Sequence, residues 1–468
     1  MHRITVLFFL IIAALPVDTY AQIDSLLIID NIFIDGNKVT KVNTITRELM
    51  IEAGDTIQKG DLANLIEESV TNLKNLSIFN FQEIHILPMQ KGHINLLVEL
   101  TERWYIFPSP YLQMADRNVN AWLSRNDKWR RINYGALLYW KNFRGRAETL
   151  DLMIKLGYDQ HFELDYDIPY FNKAKTLGIN FGIAYLRSHQ INVNTFDNKE
   201  IFYPTLSRKS EYAKQAQLAF TQLVYRRNIH TRHLFTLQYS NYQFSDSVLT
   251  LNPSYSFERK KRNQYLGLSY TIKYDFRDYI HYPLKGYYLD FKIHKRGLGL
   301  LLSPNSGDLI LNGNARRFLQ LSKKFYFASG FVLHHSIYQN TPYFKSSEIG
   351  NMFNLVRGYE NYSIRGQSYF LFKNNVKYEL VKPTTYYYQG VREEFGKIHY
   401  ALYMNLFSDL GYMKNSFSPE LNPMGDRLLI GGGIGLDLVT YYDKVLRLEF
   451  SYHKNGYWGI YIHYIPSI

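Results

Sequence analysis

Apolar and polar residues alternate with a period of two along most of this chain, and a helical period is confined to its first quarter. From residue 103 to 468 the pattern divides into strand-sized stretches separated by turn clusters. Between Gly286 and Lys295, Tyr287, Leu289, Phe291 and Ile293 share one face, and Tyr288, Asp290, Lys292 and His294 share the other. Neighbouring side chains of a strand point to opposite sides, so a slip of one residue would carry Asp290 and Lys292 onto the apolar face. Leu446, Leu448, Phe450 and Tyr452 alternate likewise with Arg447, Glu449, Ser451 and His453, and Trp458, Ile460, Ile462 and Tyr464 repeat the pattern. About sixteen such stretches can be marked, an even count that suits a transmembrane barrel of antiparallel strands. If odd strands rise away from the N-terminal region, the long connections 192–209, 246–263 and 340–367 gather at one end and short turns at the other. The connection 382–398 is unusually long for the short-turn end, and its length suggests a partner contact.

Residues 22–102 read as a small α+β domain. Leu27, Ile29, Ile32 and Ile34 form an extended start that stops at Asp35-Gly36-Asn37. Asn43 or Thr44 can cap a first helix running to about Met50, and Gly54-Asp55 breaks it. Leu62, Leu65, Ile66, Val70 and Leu73 then recur at helical spacing, and strands follow at 82–87 and 93–101. Residues 1–21 have a basic tip, an apolar run from Ile4 to Leu15, and small residues at Thr19 and Ala21. These are the marks of a cleaved secretion signal, too short to anchor a protein.

Composition narrows the class. Hydrophobic residues make up 46% of the chain, yet the mean hydropathy is -0.28, so apolar residues are interleaved with polar ones and a helical membrane bundle is excluded. There are no cysteines, which excludes disulfides, thiolate metal sites and a Cys nucleophile. The 41 tyrosines have apolar bodies and polar tips, suited to interfacial girdles and a half-wet inner wall. The net charge of +13 is scattered through period-two stretches, which argues against nucleic acid and for lipopolysaccharide phosphates or a charged lumen. His334 and His335 face opposite ways on one predicted strand, useless for a single metal. Gly431-Gly432-Gly433-Ile434-Gly435 has no following helix or GK[ST], so close strand packing is expected there instead of a phosphate loop. No enzymatic activity, cofactor or metal is expected.

Four motifs resemble, in order, those of BamA/TamA-type outer-membrane proteins. Val356-Arg357-Gly358-Tyr359 is similar to the family's VRG(F/Y) tetrad in the sixth extracellular loop. Asp275, Arg277 and Asp278, followed by Pro283 and Gly286, resemble its mid-barrel turn motif. Val376 to Leu380 resembles the acidic strand after the sixth loop, and Phe407-Ser408-Asp409-Leu410-Gly411 the F-x-D-x-G strand beyond it. The N-terminal domain resembles a POTRA module, a periplasmic unit that offers a sheet edge to extended client chains.

The resemblance implies a barrel over 103–468 whose loop 340–367 folds inward and sets Arg357 against acidic groups on the wall. Alternation places both Glu379 and Asp409 on the inner face of neighbouring strands, where one guanidinium could be shared between them. Ordering roughly twenty loop residues costs about 1–2 kcal/mol each, whereas breaking a buried ion pair costs about 3–5 kcal/mol. The loop must therefore also pack, with Phe353, Leu355, Tyr359 and Tyr362 as plugs and Gly358 allowing close approach. The seam between first and last strands is a second candidate site: Pro108 and Pro110 cannot donate to a ladder, and Gly459 lies in the last strand, where Tyr464 would stand in for the family's terminal aromatic residue.

By resemblance the chain would insert or translocate polypeptides at a bacterial outer membrane, with its N-terminal domain in the periplasm. Its partners would be client outer-membrane or secreted polypeptides, outer-membrane lipid and lipopolysaccharide, with room for periplasmic or lipoprotein partners. One visible POTRA copy points to an accessory or client-specific member. A two-partner-secretion-type exporter and a passive pore or surface receptor are the alternatives.

Overall fold

The computed structural model describes residues 26–463 apart from 91, 116–121, 124–125, 127, 204–210, 302–306, 338–340, 351–353, 389, 391–394, 396, 416, 418–420 and 441–443. The expected signal at 1–21, Phe353 and Tyr464 lie outside the described residues.

The N-terminal domain runs β1 (Leu26–Asp35), α1 (Val42–Thr46), β2 (Thr56–Gln58), α2 (Leu62–Asn75), β3 (Phe79–Pro88) and β4 (His93–Glu102). Its sheet has the order β2-β1-β4-β3, with β1 parallel to β4. Ile45, Leu73, Phe79, Val98 and Leu100 pack between helices and sheet. The first helix is shorter than its sequence suggests and begins at Lys41 without a side-chain cap. The Thr44 hydroxyl is used elsewhere, contacting the Gly145 carbonyl at 3.1 Å and the Tyr170 hydroxyl at 3.0 Å.

Sixteen antiparallel strands follow in one sheet. The first half comprises β5 (Ile106–Met114), β6 (Ile132–Phe143), β7 (Glu148–Gly157), β8 (Gln160–Ile168) and β9 (Leu177–Ser188). A small hairpin, β10 (Asn192–Phe196) and β11 (Lys199–Phe202), precedes β12 (Lys214–Asn228), β13 (Thr231–Phe244) and the short helix α3 (Asp246–Leu251). Next come β14 (Arg262–Asp275), β15 (Gly286–Arg296), β16 (Asp308–Gln320) and β17 (Phe325–Ser336). The hairpin β18 (Ser347–Ile349) and β19 (Ile364–Gly366) lies inside the loop before β20 (Ser368–Tyr387). The sheet ends with β21 (Lys397–Lys414), β22 (Leu428–Thr440), β23 (Lys444–His453) and β24 (Trp458–His463).

The connection expected at 382–398 is mostly strand: β20 and β21 stay paired as far as Tyr387 and Lys397, with register shifts near Val381. Two strands extend beyond the barrel rim there, in place of a long loop.

The sheet is inside-out relative to a soluble one. Along β23, Leu446, Leu448, Phe450 and Tyr452 are exposed, whereas Arg447, Glu449, Ser451 and His453 are buried. Pairing between successive strands satisfies their backbones internally, leaving the outer face free to be apolar.

The N-terminal domain docks against one mouth of the barrel, touching four turns in succession. Lys41 N–H donates to the Gly145 carbonyl at 2.8 Å in the β6–β7 turn. Arg47 reaches the Pro169 carbonyl at 3.3 Å in the β8–β9 turn. Arg226, at the β12–β13 turn, forks onto Glu48 through two bonds of 2.6 Å. Asn75 brackets the β14–β15 turn, accepting from Ile280 N–H at 3.1 Å and donating to the Arg277 carbonyl at 3.4 Å. The long connections gather at the opposite mouth, where Val193, Phe244, Val248, Tyr255 and Tyr343 form a second apolar cluster.

Candidate functional site

The inner wall formed by β20 to β23 is strongly polar. Lys373, Asn375, Lys377, Asn405, Asp409, Asp437, Arg447 and Glu449 are all buried there. The loop between β17 and β20 enters from the mouth opposite the N-terminal domain and reaches Asp409 and Glu449.

Arg357 is fully buried at the tip of this loop. Its Nε and Nη2 donate to the two oxygens of Asp409 at 2.8 and 2.6 Å, and its own backbone N–H donates to the same carboxylate at 3.1 Å. Nη1 reaches Glu449 Oε1 at 3.4 Å, and the guanidinium lies 3.9 Å from the centre of the Phe407 ring. A planar fork can use a carboxylate, a second carboxylate and a ring face together; an ammonium cannot.

Glycines on the wall make room for the loop backbone. A Cβ on Gly431 would sit 1.9 Å from the Arg357 carbonyl oxygen, and one on Gly411 would lie 2.4 Å from Val356 Cγ2. Gly358 has φ +98°, where a side chain would be strained. Around this contact Ile349, Val356, Tyr359, Ile364, Leu371 and Met413 form a buried apolar cluster with Tyr362 against it, and Leu355 is buried nearby. Tyr359 packs on His453 with ring centres 4.3 Å apart.

The structure brings Arg357 and Asp409 together but leaves Glu379 apart. Glu379 pairs in register with Tyr403, whereas Asp409 pairs with Lys373. It therefore lies roughly 16 Å further along β20 than Asn374, whose carbonyl the loop arginine reaches, at about 3.3 Å per residue. Glu449 takes the second acidic position in its place. Glu449 stood on the inward face of an alternating strand, but no sequence feature assigned it to Arg357.

A second insertion comes from the mouth next to the N-terminal domain. In turn 276–285, Arg277 forks onto Asp275 at 2.7 Å through each of two nitrogens. Asp278 accepts from Tyr279 N–H at 2.9 Å and Leu284 N–H at 3.0 Å, and Gly286 has φ +96°. This frame, with Pro283 buried beside it, aims Tyr282 into the lumen, where its hydroxyl donates to Asp437 at 2.7 Å. Arg447 forks onto Asp437 at 2.6 and 2.7 Å, and Lys377 Nζ lies 3.9 Å above the Tyr282 ring. The motif marked the turn in sequence, but Tyr282 and its Asp437–Arg447 partners went unmarked because they meet only when the turn folds inward.

At the seam, Pro108 and Pro110 lie within β5, opposite Leu138 and Ala136 of β6. Among the described residues, β24 pairs with β23 alone and β5 with β6 alone, and no ladder joins β5 to β24. Gly459 lies opposite Ser451, and a Cβ there would meet the Tyr461 ring at 2.5–2.6 Å.

A sixteen-stranded barrel with an apolar exterior, a charged inner wall and two inserted plugs defines a transmembrane β-barrel of the occluded kind. The Omp85 superfamily domain matches residues 142–455, and the chain belongs to that superfamily, whose barrels reside in the outer membrane. Among solved structures it is similar to CdiB from Escherichia coli at 9% identity and TM-score 0.51, covering 97% of this chain and 91% of that one. It is similar to CdiB from Acinetobacter baumannii at 13% identity and TM-score 0.50, covering 94% and 73%. BamA from Haemophilus ducreyi lacking POTRA domains 1–3 gives 14% identity and TM-score 0.49, covering 94% and 83%. Comparison with curated protein sequences gives no match.

Proposed function

We propose that this protein inserts client polypeptides into the outer membrane, using the seam between β5 and β24 as a template and its N-terminal domain as a periplasmic POTRA unit. The observation that carries the reading is the unpaired seam: each edge strand has one neighbour among the described residues. A strand entering lipid must satisfy its backbone by pairing, and an open edge supplies partners without regard to sequence. Client folding then drives the process, and no nucleotide hydrolysis is required.

The N-terminal sheet supports the same reading. β3 is an edge strand that carries exposed Ile86 and Leu87, so an extended client can add beside it. A cavity of about 480 Å³ opens between α2 and the barrel mouth, lined in part by Lys74, Phe79, Tyr279 and Tyr403. The two plugs in the lumen argue against a passive pore.

A two-partner-secretion-type exporter is the second reading, and the likeness in fold to two CdiB chains speaks for it. Vesicles containing the purified chain, mixed with a urea-denatured outer-membrane barrel, separate the two. Insertase function predicts client folding several-fold faster than in empty vesicles, read by heat-modifiable migration on a gel. Equal rates, together with passage of an unfolded client into the vesicle, would favour export.

A further inference from the structure

We propose that Glu360, Glu449 and His463 form a binding site for one divalent transition-metal ion of the zinc class, which fastens the inward loop to the last strand. Glu360 follows Tyr359 on the loop, Glu449 lies on β23 and His463 on β24. Oε1 of Glu360, Oε2 of Glu449 and Nε2 of His463 all lie within 4.8 Å of one another. The imidazole nitrogen is 3.1 Å from the Glu449 oxygen and 3.7 Å from the Glu360 oxygen. Ligands about 2.0–2.2 Å from a tetrahedral ion sit roughly 3.3–3.6 Å from each other. The two separations from the imidazole are thus already near coordination spacing.

Each carboxylate is held by a donor on its other oxygen. Gly358 N–H donates to Glu360 Oε2 at 2.8 Å. Arg357 Nη1 donates to Glu449 Oε1 at 3.4 Å, and Arg447 Nη1 stands 3.7 Å from that same oxygen. The three atoms that face each other make no hydrogen bond. The Glu449 side chain is 0% exposed, and a buried carboxylate oxygen in that condition is costly unless something occupies the space before it. Two carboxylates fixed from behind, with an imidazole set before them, are an arrangement that metal sites show.

Charge points the same way. Arg357 and Arg447 make their closest contacts with Asp409 and Asp437 and reach Glu449 only at 3.4 and 3.7 Å, so a divalent ion would sit before two glutamates that otherwise share His463 as their nearest cationic partner. One imidazole with two carboxylates suits a borderline ion such as zinc; calcium and magnesium prefer all-oxygen shells. The Glu360 and His463 side chains are 12% and 19% exposed, so an ion can enter from their side and keep water at its remaining position. Glu449 and His463 are neighbours in the β23–β24 hairpin, and Glu360 joins them because the loop folds inward.

A bound ion would tie the loop to one edge of the seam and stiffen both. That consequence rests on the functional reading above; the binding itself does not. The full-length chain in detergent is stripped with a chelator, given zinc, desalted and assayed for metal by mass spectrometry. One zinc per chain is expected, with an affinity lowered roughly 10–100-fold or more in Glu360→Gln and His463→Gln. His85→Gln, at an exposed histidine beside Glu83 and Glu99, should leave it unchanged. Heat-modifiable migration verifies that each variant is folded, and zinc should slow proteolysis of residues 340–367 in the parent chain but not in His463→Gln. A parent chain that retains no zinc, or equal retention by the folded Glu360→Gln/His463→Gln double variant, overturns the site. Retained zinc with no client insertion counts against the functional reading alone.

Discussion

Arg357 holds its position through one carboxylate fork, a second carboxylate and a ring face. Removing it takes the fork away from buried Asp409 and leaves Lys373, its cross-strand neighbour, as the cation nearby, so Arg357→Ala is expected to weaken loop docking by up to about 3–5 kcal/mol. Arg357→Lys keeps the charge but loses the fork, and should fall between the parent and Ala. Protease sensitivity of residues 340–367 measures both; a loop as resistant in Arg357→Ala as in the parent would refute the assignment. Gly431→Ala tests the backbone side of the same contact, because its new Cβ would stand 1.9 Å from the Arg357 carbonyl. Overpacking of this kind costs about 1–3 kcal/mol, and increased amide exchange across residues 354–362 is the expected sign. Sequence alone could place Arg357 and Asp409 on the two sides of this contact, because a motif marked one and alternation marked the face of the other. It could not choose between Glu379 and Glu449. Both point inward, and only the ladder register, Lys373 opposite Asp409 and Glu379 opposite Tyr403, shows which lies level with the loop.

At the scale of elements, sixteen strands were legible because apolar and polar residues alternate along most of them, a pattern no helix sustains. The short strands β18 and β19 were not, since their three residues each carry no period and depend on the loop packing around Ile349 and Ile364. The first helix starts at Val42, ahead of the expected caps, and ends at Thr46, with the Thr44 hydroxyl inside it turned to docking contacts. Docking also has a charged contact that acid should loosen. Burial works against ionisation of Glu48, but the Arg226 fork outweighs it and holds the carboxyl below the usual range. A carboxylate depressed in this way contributes stability above the ordinary Glu range and loses it as pH falls through the folded value. Fluorescence transfer between labels on α2 and the β12–β13 turn should therefore decline over that acidic window. In Glu48→Gln it should be low at every pH; a pH response identical to the parent's would exclude Glu48 as its source.

On the scale of the whole molecule, plugs enter the barrel from both ends, and among the described residues β5 and β24 are not paired with each other. Loop 337–367 and Tyr282 converge on the wall built by β20 to β23, so the rigid part of the lumen lies beside the strands that lead to β24. In the proposed insertase role, the edge would part while the plugged wall keeps the cylinder's shape. The most direct measurement places one cysteine on β5 and one on β24 in a chain that has none of its own, and follows client folding into vesicles before and after oxidation. The oxidised chain is expected to work no faster than empty vesicles, and a reductant to restore it. Equal activity in the oxidised and reduced states would contradict any role for the seam.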